Sequence, residues 1–138
     1  MNKLLIAVWF ALFVCAEVVA DEDDKITFDV LIKSSASWNG SALPGYGAGT
    51  PEITILKVII PPGMAVATHK HPMINAAVLL SGELTVTSKK GAQIKLTAGD
   101  PLIELVDQWH SGLNTGHEPV EILVFYAGIK GQPLSIKK

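Results

Sequence analysis

From Ile53 onward the chain is a succession of short aliphatic and β-branched runs cut apart by turn residues, and nothing after residue 20 carries the 3.6-residue period of a helix. Ile53–Ile60 ends at Pro61-Pro62-Gly63. Ala65–His71 and Asn75–Leu80 follow, the latter stopped by Ser81-Gly82. Glu83–Ser88 and Gln93–Thr97 flank Lys89-Lys90-Gly91 as a hairpin. Gly99-Asp100-Pro101 turns the chain into Leu102–Val106, then come Trp109–Leu113 and a strong final strand, Val120–Ala127. Strands at this spacing exclude a helical bundle and predict an all-β sandwich or barrel.

Within that rhythm, His69 and His71 are separated by one residue. Side chains at i and i+2 of a strand share a face, so both imidazoles point into one space and Lys70 points away. Neutral imidazole is the commonest ligand of transition metals, and His110 can supply a third from a neighbouring strand. Buried imidazoles without a metal would each need hydrogen-bond partners. His117, in Gly116-His117-Glu118-Pro119, reads as a solvated loop residue. Trp109, next to His110, is expected on the opposite face. Met64, Met73, Val78 and Leu80 are expected in packing. Tyr126 is the one phenol near enough for acid–base work. Glu104 alternates with Ile103 and Leu105, which predicts a surface carboxylate.

The spacing of these residues resembles the two cupin motifs. Five residues separate Gly63 from His69, one separates His69 from His71, three lead to Asn75 and six to Gly82. This is similar to the first motif, G-x5-H-x-H-x3-E-x6-G, with Asn75 in the place of Glu. In the second, G-x5-P-x-G-x2-H-x3-N, Gly99, His110 and Asn114 match, while Leu105 and Asp107 stand where the motif has Pro and Gly. The resemblance covers about Ile53 to Ala127 and implies a double-stranded β-helix, the cupin jelly-roll barrel, with metal ligands His69, His71 and His110. Asn75 would be at most a weak ligand. Three neutral nitrogens favour Fe, Cu, Ni or Zn as divalent ions over harder ones. By the same resemblance Asn114 is a structural hydrogen-bonding residue. Three functions follow as expectations: an Fe(II)- or Cu(II)-dependent oxygenase of a small organic substrate, a non-catalytic metal- or ligand-binding module, or a metal-dependent isomerase or lyase.

The N-terminus reads differently. Met1-Asn2-Lys3 is basic, Leu4–Val14 is unbroken apolar, and Val18-Val19-Ala20 ends in small residues before Asp21-Glu22-Asp23-Asp24. That order predicts a signal peptide over 1–20, export to the periplasm or medium, and no stable membrane insertion after cleavage. Residues 21–52 then form a leader, an N-terminal strand (Ile26–Lys33) and a wrapping loop anchored by Trp38, Leu43 and Tyr46, with the barrel over 53–138. Cleavage removes Cys15, the only cysteine, and with it any thiolate chemistry. The net charge is −2 and every basic residue is Lys. This composition argues against nucleic-acid recognition and against a guanidinium clamp for anions. A small-molecule substrate or ligand remains as partner. The Ile26–Lys33 strand lies outside both motifs and predicts a homodimer, because an edge strand invites pairing.

Overall fold

A computed structural model describes residues 25–138, where regular structure consists of nine strands and no helix. These are β1 (Pro51–Ile60), β2 (Ala65–Lys70), β3 (Ile74–Ser81), β4 (Leu84–Ser88), β5 (Gln93–Leu96), β6 (Pro101–Ile103), β7 (His110–Asn114), β8 (Val120–Ile129) and β9 (Ile136–Lys137). They form two sheets, β1-β8-β3-β6 and β5-β4-β7-β2-β9. Apart from the β4–β5 hairpin, each strand lies in the opposite sheet from the one before it. The chain therefore winds as a double-stranded β-helix, as the motif spacing implied.

Period-2 alternation builds the core. On β8, Val120, Ile122, Val124 and Tyr126 are buried in succession, and on β3 the buried set is Asn75, Ala77 and Leu79. All but Asn75 pack with Leu84, Val86, Leu96 and Leu102 into one cluster between the sheets. Burying each large aliphatic side chain stabilises the fold by about 1.5–3 kcal/mol. The turns are equally specified. Gly82 has φ 78°, and a Cβ there would lie 2.8 Å from the Pro119 carbonyl oxygen, so this turn admits only glycine.

Several expectations change. Ile26–Lys33 forms no strand and pairs with nothing among the described residues, and its apolar side chains are exposed, Phe28 at 90%. Propensity alone cannot make a strand without a partner edge. Trp38 packs against the core and Leu43 is half-buried, but Tyr46 is 83% exposed and anchors nothing. The loop is held instead by hydrogen bonds from Trp38 N to Ile103 O (3.0 Å) and from Ser37 Oγ to Glu104 O (2.7 Å). The two-residue β9 was not anticipated; it pairs with β2 through His69 and Lys70. The signal-peptide expectation lies outside the described residues.

Candidate metal centre

His69 on β2 and His110 on β7 are direct cross-strand partners. The β2–β7 register slips between Val66 and His69, a bulge that lets side chains three residues apart face the same cavity. His71 lies just past β2, fixed by a bridge to Val106 and by the Asp107 amide donating to its carbonyl at 2.8 Å. Asp107 needs the left-handed backbone (φ 53°) to do this. Aspartate tolerates that region better than most residues, which explains how it can occupy the motif's glycine position.

One ring nitrogen from each of His69, His71 and His110 lies within 4.8 Å of the others. Each Nδ1 meets a backbone carbonyl: Ala67 at 2.8 Å, Leu134 at 2.8 Å and Gln108 at 2.9 Å. A carbonyl only accepts, so each Nδ1 carries the proton and each neutral ring keeps a bare lone pair on Nε2. That is the tautomer a metal ligand needs, oriented by an outer hydrogen bond. Burial lowers the pKa of all three rings, and that of His71 falls to about 4, so they are neutral near pH 7. Their donor set fits a divalent transition ion. For one ion to be held by all three at the usual bond lengths of about 2.0–2.2 Å, the widest nitrogen pair would have to close by about 1–2 Å.

The triad lies in the wall of a cavity of about 330 Å³ that reaches between both sheets. Its other walls are mainly apolar, from β1 (Leu56, Val58, Ile60), β4 (Leu84, Val86) and β8 (Ile122, Val124). Tyr126 also lines it, its ring 5.4 Å from that of His71, and desolvation pushes its hydroxyl up to about 12. Met64, Met73, Val78 and Leu80 do not line it, and neither does Trp109, which lies under the Lys70 ammonium at 5.7 Å. Asn75 is buried with Nδ2 on the Met73 carbonyl (3.3 Å) and is absent from the cavity wall.

Glu104 corrects the sequence reading. It is buried, lines the cavity, and places Oε2 3.3 Å from His110 Nε2. Desolvation raises its carboxyl to about 7, against the pull of His69 and the Leu105 amide. Alternation does not hold here because β6 ends at Ile103, and from Leu102 through to Leu105 every residue is buried, under the Ser37–Trp38 loop. No local pattern in the sequence marks this. The signal was the absence of a carboxylate at 75, which invites a search for one elsewhere.

Known proteins agree with this geometry at the level of fold. The family model for the cupin domain matches residues 56–126, just over half of the chain. No curated protein matches. Among solved structures, a Klebsiella pneumoniae protein with a double-stranded β-helix domain is 24% identical at TM-score 0.54, covering 82% of this chain and all of its own. A DMSP lyase of Ruegeria pomeroyi is 21% identical at TM-score 0.55, over 62% of this chain and 43% of its own. An oxalate oxidase is 19% identical at TM-score 0.50, over 55% and 42% respectively. The match thus spans less than half the length of those two enzymes. By its motifs, its winding and the family match, the chain belongs to the cupins.

Proposed function

We propose that the protein is a metal-dependent oxygenase of a small organic substrate, with His69, His71 and His110 holding a divalent transition ion. The observation that carries this reading is the common tautomer of the three rings, each leaving Nε2 bare beside an apolar cavity. A bound Fe(II) or Cu(II) ion would supply the redox chemistry. The chain's own residues do the rest. The β1, β4 and β8 side chains exclude water and grip an apolar body, and about 330 Å³ suits a small ligand. Tyr126, kept protonated at neutral pH, donates a hydrogen bond to a substrate oxygen. Among the described residues Lys137 is the one lysine lining the cavity, whose walls are mainly apolar, so the substrate is a phenol, thiol or similar compound with little charge. Oxygen uptake by Fe(II)-loaded protein over a panel of phenols and thiols tests this. Metal retention without uptake on any of them contradicts it.

A second reading, a metal-dependent lyase or isomerase, gains from Tyr126, a protonated phenol that can deliver a proton to a leaving group or carbonyl. Turnover in the absence of oxygen would select it. Metal bound with no turnover under either condition would select a non-catalytic binding module.

The segment order of residues 1–20 supports export to the periplasm or medium. The partner is a second copy. Ile26, Phe28, Val30 and Ile32 present an apolar, unpaired arm, and β1, the edge of its sheet, exposes Ile53, Ile55 and Ile59. Each surface is the kind of cover the other lacks.

A further inference from the structure

We propose that Glu104 is a fourth protein ligand, supplying from β6's continuation the carboxylate that the first motif lacks at Asn75. This rests on the three-histidine metal centre above.

The backbone places Glu104 where that substitution works. Ala76 pairs with Ile103, and the Glu104 amide donates to the Asn75 carbonyl at 3.1 Å, so 75 and 104 are cross-strand neighbours. Opposed residues of an antiparallel pair send their side chains to one side. Replacing a carboxylate at 75 by one at 104 therefore moves the charge across a single strand spacing, about 5 Å. The Ser37 hydroxyl on the Glu104 carbonyl, at 2.7 Å, holds the segment in place from the other side.

The electrostatics call for a cation. With its Nδ1–H committed to Gln108 O, His110 faces Glu104 Oε2 with the Nε2 lone pair, at 3.3 Å. Both atoms are buried and neither has a hydrogen-bond partner. Two buried acceptors that close are costly unless something positive lies against both. A divalent ion held by the histidines does that and satisfies both atoms together. A proton shared between Glu104 and His110 is the competing arrangement, and it leaves Glu104 outside the coordination shell. With Glu104 as ligand the donor set becomes three neutral nitrogens and one anionic oxygen. Its preference shifts from the soft end of the divalent series towards Fe(II) and Mn(II).

Co(II) titration of the metal-free protein tests this, read by chelator competition and by the visible d–d bands. Glu104→Gln should lose at least as much affinity as the 10–100-fold typical of outer-shell partners, with shifted d–d bands. His110→Ala should lose more. Infrared difference spectra should show a carboxylate band moving on Co(II) binding in the wild type, and this reading needs no folded variant. Unchanged affinity and bands in Glu104→Gln, or no carboxylate shift in the wild type, would overturn the fourth ligand while leaving the histidine centre intact. A wild type that binds no Co(II), or binds it as His110→Ala does, would overturn both.

Discussion

Asn114→Ala should be among the most damaging single substitutions outside the metal centre. Asn114 is 1% exposed and joins three segments: Nδ2 donates to Ile60 O and to Glu118 O, each at 2.8 Å, and Oδ1 accepts from Gly116 N at 2.9 Å. Alanine removes all three bonds and leaves two carbonyls and an amide to find new partners at a closed corner. At about 1 kcal/mol for each bond the loss is about 3 kcal/mol, more where a freed group stays dry. That is a large share of the 5–15 kcal/mol typical of a domain. For a domain of this size it corresponds to a fall in Tm of roughly 10–15 °C. Asn114→Asp is the sharper version. It preserves shape but sets an acceptor against both carbonyls, so near pH 7 it should cost at least as much as alanine. Urea denaturation of the three proteins measures the differences. Metal affinity at temperatures where all are folded should not change, because Asn114 does not line the cavity. Alanine within 1 kcal/mol of wild type, or a tolerated aspartate, would refute the reasoning.

The motif glycines should respond unequally. Gly82→Ala meets backbone at 2.8 Å and should cost at least about 2 kcal/mol, whereas Gly63→Ala, at φ 71° with open space around it, should cost only the left-handed penalty of about 1–2 kcal/mol. Denaturant midpoints showing equal effects would contradict this. Phe28→Asp and Ile55→Asp should each turn a dimer into a monomer by light scattering at micromolar concentration, and a wild type that is already monomeric removes the claim. Because burial depresses the imidazole pKa values, with His71 held down to about 4, protons compete for these rings only at acidic pH. Lowered folded values mean that binding capacity is present above them and lost as pH falls through them. Equilibrium dialysis should therefore find Co(II) retention unchanged from pH 7.5 down to about the ordinary imidazole value of 6.5, and half-loss above pH 6.5 would contradict the burial argument.

Much of this molecule is legible in sequence because its signals are local. Alternation on β3 and β8, glycines at 63, 82 and 99 with positive φ, and histidines at i and i+2 each encode a feature within a few residues. Aspartate at 107 departs from the second motif in sequence, yet it holds the left-handed backbone that the motif's glycine ordinarily provides. What was not legible depends on distant contacts. Glu104 looks like a surface residue by alternation, yet the Ser37–Trp38 loop, some 67 positions away, covers its strand. Ile26–Lys33 has strand composition, but a strand also needs a ladder partner, and this segment has none among the described residues. Tyr46 looked like an anchor because large apolar groups are usually buried, and side-chain hydrophobicity says nothing about where a loop of Gly and Pro will carry it.

The central claim is that three histidines hold one divalent ion. Elemental analysis of untagged wild-type protein and of His69→Ala, His71→Ala and His110→Ala, each with its β-sheet circular dichroism recorded, tests it most directly. The account predicts about one transition ion per wild-type chain and loss of that ion in every variant, with the fold retained, since the apolar cluster between the sheets is built without these side chains. Metal content unchanged across all three variants would contradict it.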